Sequence, residues 1–139
     1  MSLLQRWFVA AHRWTYERTR GRLGGKLAGR PMLLLDTIGR RTGEQRRVPL
    51  MYVNDGDAFV LIASNNAGPR NPGWYHNLLA APETTVQVGS ERVAVRARVA
   101  AGDERRRLWD EADRVNKGTY TGYANKTERE IPVVVLERR

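Results

Sequence analysis

PMLLLDTIGRRTGEQRRVPLMYVNDGDAFVLIA, Pro31–Ala63, sets strand-length apolar runs between turn-forming stretches. Met32–Ile38 is an apolar run of strand length, Arg46–Val53 alternates apolar and polar residues, and Phe59–Ala63 is a second apolar run. Asn54-Asp55-Gly56-Asp57 has the composition of a tight turn and makes the last two runs hairpin partners. Between the first two lies Gly39-Arg40-Arg41-Thr42-Gly43-Glu44-Gln45-Arg46-Arg47, a glycine-framed loop with four arginines and one acid.

Downstream, Ser64–Arg70 reads as a loop, and Asn71-Pro72 as a helix N-cap followed by proline at the first helical position. A short helix is expected over Gly73–Ala80, ending before Pro82. Thr84–Val88 and Arg92–Val99 form a second hairpin across Gly89-Ser90, with Val93, Val95, Ala97 and Val99 on one face and Arg92, Arg96 and Arg98 on the other. A longer helix, about Asp103–Asn116, has Leu108, Ala112 and Val115 as its inner stripe. Lys117–Arg129 reads as a loop and Ile131–Leu136 as a final buried strand. About six mostly antiparallel strands with inserted and flanking helices give an α+β domain on a small barrel over 31–139.

Upstream, Ser2 and Gln5 resemble a capping box, and Leu4, Trp7, Phe8, Ala11 and Trp14 recur at helical spacing to about Thr19. Arg6, Arg13 and Arg20 fall on the other face, and Gly21–Arg30 is a basic, glycine-rich linker. Residues 1–30 are therefore read as an N-terminal amphipathic helix and linker. Such a helix suits peripheral contact with an anionic membrane, or packing on the domain or on a second subunit.

An apolar fraction of 41% with 28% charged residues excludes wholesale disorder, and 139 residues bound the chain to one core. The absence of cysteine removes thiolate metal sites and cysteine nucleophiles and fits a reducing, cytoplasmic setting. No apolar segment approaches the ~20 residues that cross a bilayer. The net charge of +9 favours anionic partners without choosing among them.

Little catalytic equipment is visible in the side chains. His12 and His76 stand alone in helical patterns, Ser64 has no evident base, Asp55 and Asp57 belong to their turn, and no metal-ligand spacing occurs. Gly39 and Gly43 are too close for a phosphate-binding P-loop, and no Gly-Lys-Ser/Thr follows. The loop is still suited to anions: its glycines permit positive-φ turns, and guanidinium forks match phosphate and carboxylate oxygens. Its plainer reading is a soluble hairpin tip. An anion-binding loop without a catalytic set suits an enzyme whose cofactor supplies the chemistry. Ala63–Leu78, ASNNAGPRNPGWYHNL, offers small residues, amides and free backbone N–H groups that suit a flat heterocycle, although Trp74 reads equally as a core anchor.

In order along the chain, Leu34–Leu50 (LLDTIGRRTGEQRRVPL), Ala63–Leu78, Pro82–Gly89 (PETTVQVG) and Ile131–Glu137 (IPVVVLE) resemble the deazaflavin-dependent nitroreductase family. The resemblance implies a split β-barrel and the coenzyme F-420, an 8-hydroxy-5-deazaflavin whose tail bears phosphate and oligoglutamate. It implies that Gly39, Arg40, Arg41, Thr42, Gly43 and Arg46 hold the tail, and that Pro49, Met51, Ala63, Ser64, Asn65, Trp74 and Asn77 line the ring. Tyr120 and Tyr123 match a segment bordering the acceptor pocket, where hydroxyls polarise or protonate a quinone-type or nitroaromatic molecule; their plainer reading is packing. Asn65-Asn66-Ala67 departs from the family's more familiar Gly-Gly or Lys-bearing version, so activity on nitro compounds does not carry over.

The implied function is hydride transfer from the reduced deazaflavin to a small acceptor, by a monomer or homodimer. Two rivals are a non-catalytic carrier of F-420 or flavin mononucleotide and a basic nucleic-acid-binding barrel. The second is disfavoured because the tryptophans fall on expected helices, away from the arginines.

Overall fold

The computed structural model describes residues 31–139 in full, together with the backbone of Arg30 and of a two-residue strand ahead of it. The helix expected over 2–19 lies outside the described residues, as does most of the linker. Strands are β1 (Lys26–Leu27), β2 (Arg30–Ile38), β3 (Gln45–Met51), β4 (Val53–Asp55), β5 (Ala58–Ile62), β6 (Glu83–Val88), β7 (Glu91–Val99) and β8 (Val133–Arg138); helices are α1 (Gly73–Ala80), α2 (Gly102–Val115) and α3 (Thr119–Ala124).

All pairings are antiparallel and run β1-β2-β6-β7-β8-β5-β4, with β3 on β2. The strand expected over Arg46–Val53 is broken at Tyr52. Tyr52 N–H still reaches Pro31 O at 3.3 Å, whereas Val53 pairs with Val60 on β5. One stretch of chain thus serves both ends of the sheet and curls it into a barrel. Both short hairpins turn through a glycine at the first central position, Gly56 (φ 57°) and Gly89 (φ 60°), matching the twist of the flanking strands.

The apolar runs of β5 and β8 are continuous because both faces are buried. Phe59, Leu61, Val134 and Leu136 join Leu33, Leu35, Val86, Val93 and Val95 inside the barrel. Val60, Ile62, Val133 and Val135 face outward onto Leu108, Ala112 and Tyr120 of α2 and α3. The expected α2 stripe is in place, with Val115 half-buried against the same cluster.

The valine face of β7 is buried only in part, and three expectations need correction. Val99 is 43% exposed, because β7 outlasts the interior that Val93 and Val95 reach. The last strand starts at Val133 rather than Ile131; Pro132 cannot donate to a ladder, and its carbonyl instead accepts from Ala63 N–H at 3.0 Å. Asn71 does not cap α1: the helix starts after an extended Pro72 without a side-chain cap, and Asn71 Oδ1 accepts from Arg129. The expected loop 117–129 contains α3, entered through Gly118 at φ 80°. Asp113 on α2 makes that turn possible, since its carboxylate accepts from Thr121 N–H (3.0 Å) and Oγ1 (2.6 Å).

Candidate active site

Two structures converge from opposite sides of α1. On one side the arginine loop closes the β2–β3 hairpin through Gly39 N–H to Glu44 O and Gly43 N–H to Gly39 O, both 2.8 Å. Gly43 has φ 71°, as a positive-φ turn requires. Gly39 does not; its role is close approach, because a Cβ there would meet Thr42 Oγ1 at 2.7 Å and Arg46 Nε at 3.1 Å. Arg40, Arg41, Thr42 and Arg46 are exposed, and among the described residues none of these three arginines forms an ion pair. Arg47 turns inward, with Nε 2.6 Å from Oδ1 of the buried Asp36, which Arg92 also reaches at 2.8 Å.

Asn77 ties this loop to α1. It is 5% exposed; Oδ1 accepts from Arg40 N–H at 3.1 Å and Nδ2 donates to Thr37 Oγ1 at 3.2 Å. It therefore braces the loop and is absent from the cleft wall. Trp74, one helical turn earlier, packs on the barrel interior and also lines the cleft, so both readings of it hold.

The cleft on that other side encloses about 200 Å³ between Pro49, Leu50 and Met51 of β3, Leu61 and Ile62 of β5, Ser64, Asn66, Trp74, Asn116, Tyr120 and Tyr123. β3 and α1 thus both run from the arginine loop to this cleft. A larger concavity of about 450 Å³ is lined by Asn54, Asp55, Arg107, Glu111 and Arg114. Both of its arginines are paired, Arg107 with Asp55 at 2.9 Å and Arg114 with Glu111 at 2.7 Å, Asp110 adds a further acid, and it lacks a flat apolar wall. Arg107 accordingly holds the Asp55 carboxyl below its usual range.

The loop from Ala63 to Asn71 rims the smaller cleft. Asn65, Asn66 and Ala67 all have positive φ (48°, 52° and 64°), a rare run for residues carrying a Cβ. Arg129 holds it: Nε donates to Gly68 O (2.9 Å), Nη1 to Ala63 O (3.2 Å) and Asn71 Oδ1 (2.6 Å), and Nη2 to Ser64 O (2.6 Å). No carboxylate among the described residues pairs with it, and partial burial lowers its pKa from the usual value. Ala63 is fully buried and Asn65 exposed, with Nδ2 on Arg70 O at 3.0 Å; neither lines the cleft. Tyr123 is half-buried with its hydroxyl 3.5 Å from Asn66 Oδ1, and Tyr120 is buried beside Trp109.

Arg129, Asn66 and Asn116 were not legible as site residues. Arg129 lies between Glu128 and Glu130 and reads as part of a solvated charge run. Asn116 reads as a helix end.

The tail and ring of a deazaflavin fit this donor set: three exposed guanidiniums without acid partners stand on one side of α1, and a ring-sized apolar cleft with a few amides and hydroxyls on the other. Comparison with known proteins converges on the same point. Residues 7–138 match the family profile described as F420H(2)-dependent quinone reductase. An F420H(2)-dependent quinone reductase of Mycobacterium tuberculosis is 44% identical over 131 residues, 92% of this chain and 88% of its own. A solved F420-H2 dependent reductase superposes with a TM-score of 0.71 at 37% identity, over 78% of this chain and 95% of that one. A further solved structure, described as a domain-swapped dimer, superposes with a TM-score of 0.72 at 34% identity, over 90% of this chain and 98% of that one. The split-barrel expectation is thereby met, and this chain belongs to the F420H(2)-dependent quinone reductase family.

Proposed function

We propose that this protein uses reduced coenzyme F-420 to reduce a quinone-type acceptor. The observation that supports this most is the continuity of β3 and α1 between an unpaired arginine cluster and a ring-sized cleft. When bound, the deazaflavin supplies the hydride donor.

Arg40, Arg41 and Arg46 hold the phosphate and the glutamate carboxylates, with Gly39, Thr42 and Gly43 setting the loop's shape. Pro49, Met51 and Trp74 wall the ring; Ala63, Ser64 and Asn65 form the loop at its rim, and Asn77 keeps loop and helix in register. Tyr120 and Tyr123 border the acceptor side of the cleft, where a hydroxyl delivers a proton to a reduced oxygen. These groups position and exclude water more than they react.

The test is titration of the protein with reduced and oxidised F-420, flavin mononucleotide and an oligonucleotide at physiological salt, followed by menadione turnover. Deazaflavin binding with turnover is expected. Binding without turnover on any quinone identifies a carrier, and oligonucleotide affinity without deazaflavin binding overturns the assignment.

A second reading concerns location. Of the nine net positive charges, six lie in residues 1–30 with the aromatic spacing of Trp7, Phe8 and Trp14. No helix among the described residues is long and apolar enough to cross a membrane. This charge placement supports peripheral contact of the N-terminal segment with an anionic bilayer. Co-sedimentation with phosphatidylglycerol vesicles, lost on deleting residues 1–20, checks it.

A further inference from the structure

Asn116 follows the last turn of α2 and is 4% exposed. Its backbone is fully used, the N–H on Ala112 O at 3.0 Å and the carbonyl accepting from Thr119 N–H (3.1 Å) and Oγ1 (2.7 Å). Its carboxamide is not. Among the described residues, Asn116 Oδ1 is the sole buried side-chain oxygen or nitrogen without a hydrogen-bond partner, and the residue stands in the cleft wall with Tyr120 and Tyr123.

An orphaned buried acceptor is costly, and an aliphatic side chain of the same size would remove that cost. No bond within the described residues explains why an amide stands here. Its position in the cleft wall leaves a bound ligand as the partner for that oxygen.

We propose that Asn116 binds the electron acceptor, its oxygen taking the hydroxyl hydrogen of a phenolic ligand, which here is the quinol form of the acceptor. This rests on the quinone-reductase reading. A quinone presents two oxygens that accept hydrogen bonds and none that donate. Addition of a hydride from the coenzyme and one proton, passed through a tyrosine hydroxyl of the cleft, converts both carbonyl oxygens to hydroxyls, and the bond to Asn116 becomes available once the oxygen facing it carries its hydrogen. The residue thus favours the reduced molecule over the oxidised one, and favours acceptors whose product places a hydroxyl at the Tyr120 side of the cleft.

Two unreactive probes isolate this bond: 4-methoxy-1-naphthol, with one donor hydrogen, and 1,4-dimethoxynaphthalene, with none. Quenching of tryptophan fluorescence reads their binding to the parent and to Asn116→Leu and Asn116→Ala. The parent is expected to prefer the naphthol by about tenfold, and both variants by no more than about twofold, with Asn116→Leu melting at or above the parent temperature. A preference that survives in the variants, a parent without preference, or a lowered melting temperature in Asn116→Leu as well as Asn116→Ala overturns the assignment. Menadione turnover by the parent is run alongside. If no quinone is reduced, the failure belongs to the quinone-reductase reading instead.

Discussion

The two loops at the ends of the site are built in opposite ways. Gly39–Arg46 is a hairpin tip closed by its own backbone, with glycine where the turn demands it and charges that project into solvent. Ala63–Asn71 places three Cβ-bearing residues in the left-handed region and depends on a guanidinium 58 to 66 residues away to hold its carbonyls. An electrostatic grip needs only composition and a flexible frame. A seat for a rigid ring needs a backbone of defined shape, and here that shape is imposed by tertiary contacts.

The largest effect should separate them. Replacing Arg40, Arg41 and Arg46 together by alanine removes three cations that make no ion pair among the described residues, so folding should be little affected while the polyanionic tail loses its partners. At about 1 kcal/mol per solvent-screened contact, affinity for the whole coenzyme should fall on the order of 100-fold. Longer glutamate tails should lose more, and the tail-free ring fragment should bind within about twofold of the parent. Calorimetric titration of both ligands decides this; equal losses for ring and coenzyme would erase the division of labour between the loops.

Arg129→Gln should act at the other end. It takes away the clamp on Ala63, Ser64, Gly68 and Asn71, leaving carbonyls that water must satisfy. Affinity for the ring fragment and for the whole coenzyme should fall by the same factor, about tenfold, with a lowered melting temperature. Arg129→Lys should not restore binding, because a single ammonium cannot reach four acceptors in this spread. Loss of stability with the ring affinity intact would reduce Arg129 to a structural bond.

The same contrast separates what was legible in the sequence from what was not. Strand runs, the Gly73–Ala80 helix and the inner stripe of α2 follow from periodicity and proline placement, which act locally. The arginine loop is visible as composition. The break at Tyr52 depends on two different strands claiming adjacent residues, and α3 depends on Asp113 reaching Thr121 from another helix, against a Gly-Thr-rich segment that reads as coil. Arg129 and Asn116 are ordinary residues by local pattern; only their surroundings make one a clamp and the other an orphan. Resemblance to a ring-binding segment puts Asn77 on the ring, yet its amide is spent bracing Arg40.

The smallest effect bears on whether the left-handed run serves the ring at all. Ala67 holds φ 64° with no side-chain hydrogen bond to support it, unlike Asn65, whose amide reaches Arg70 O. Ala67→Gly relieves a steric cost of roughly 1–2 kcal/mol and gives back about half through the freer unfolded chain. The net gain should be about 0.5–1 kcal/mol, a rise of roughly 2 °C in melting temperature. If the strained shape is what seats the ring, the same substitution should weaken the ring fragment about threefold, because the loop now samples conformations the ring does not fit. Stability and affinity would then move in opposite directions at one methyl group. A variant that gains stability and keeps its affinity would show instead that the strain is a by-product of the Arg129 clamp, and that the ring is seated by Trp74 and β3 alone.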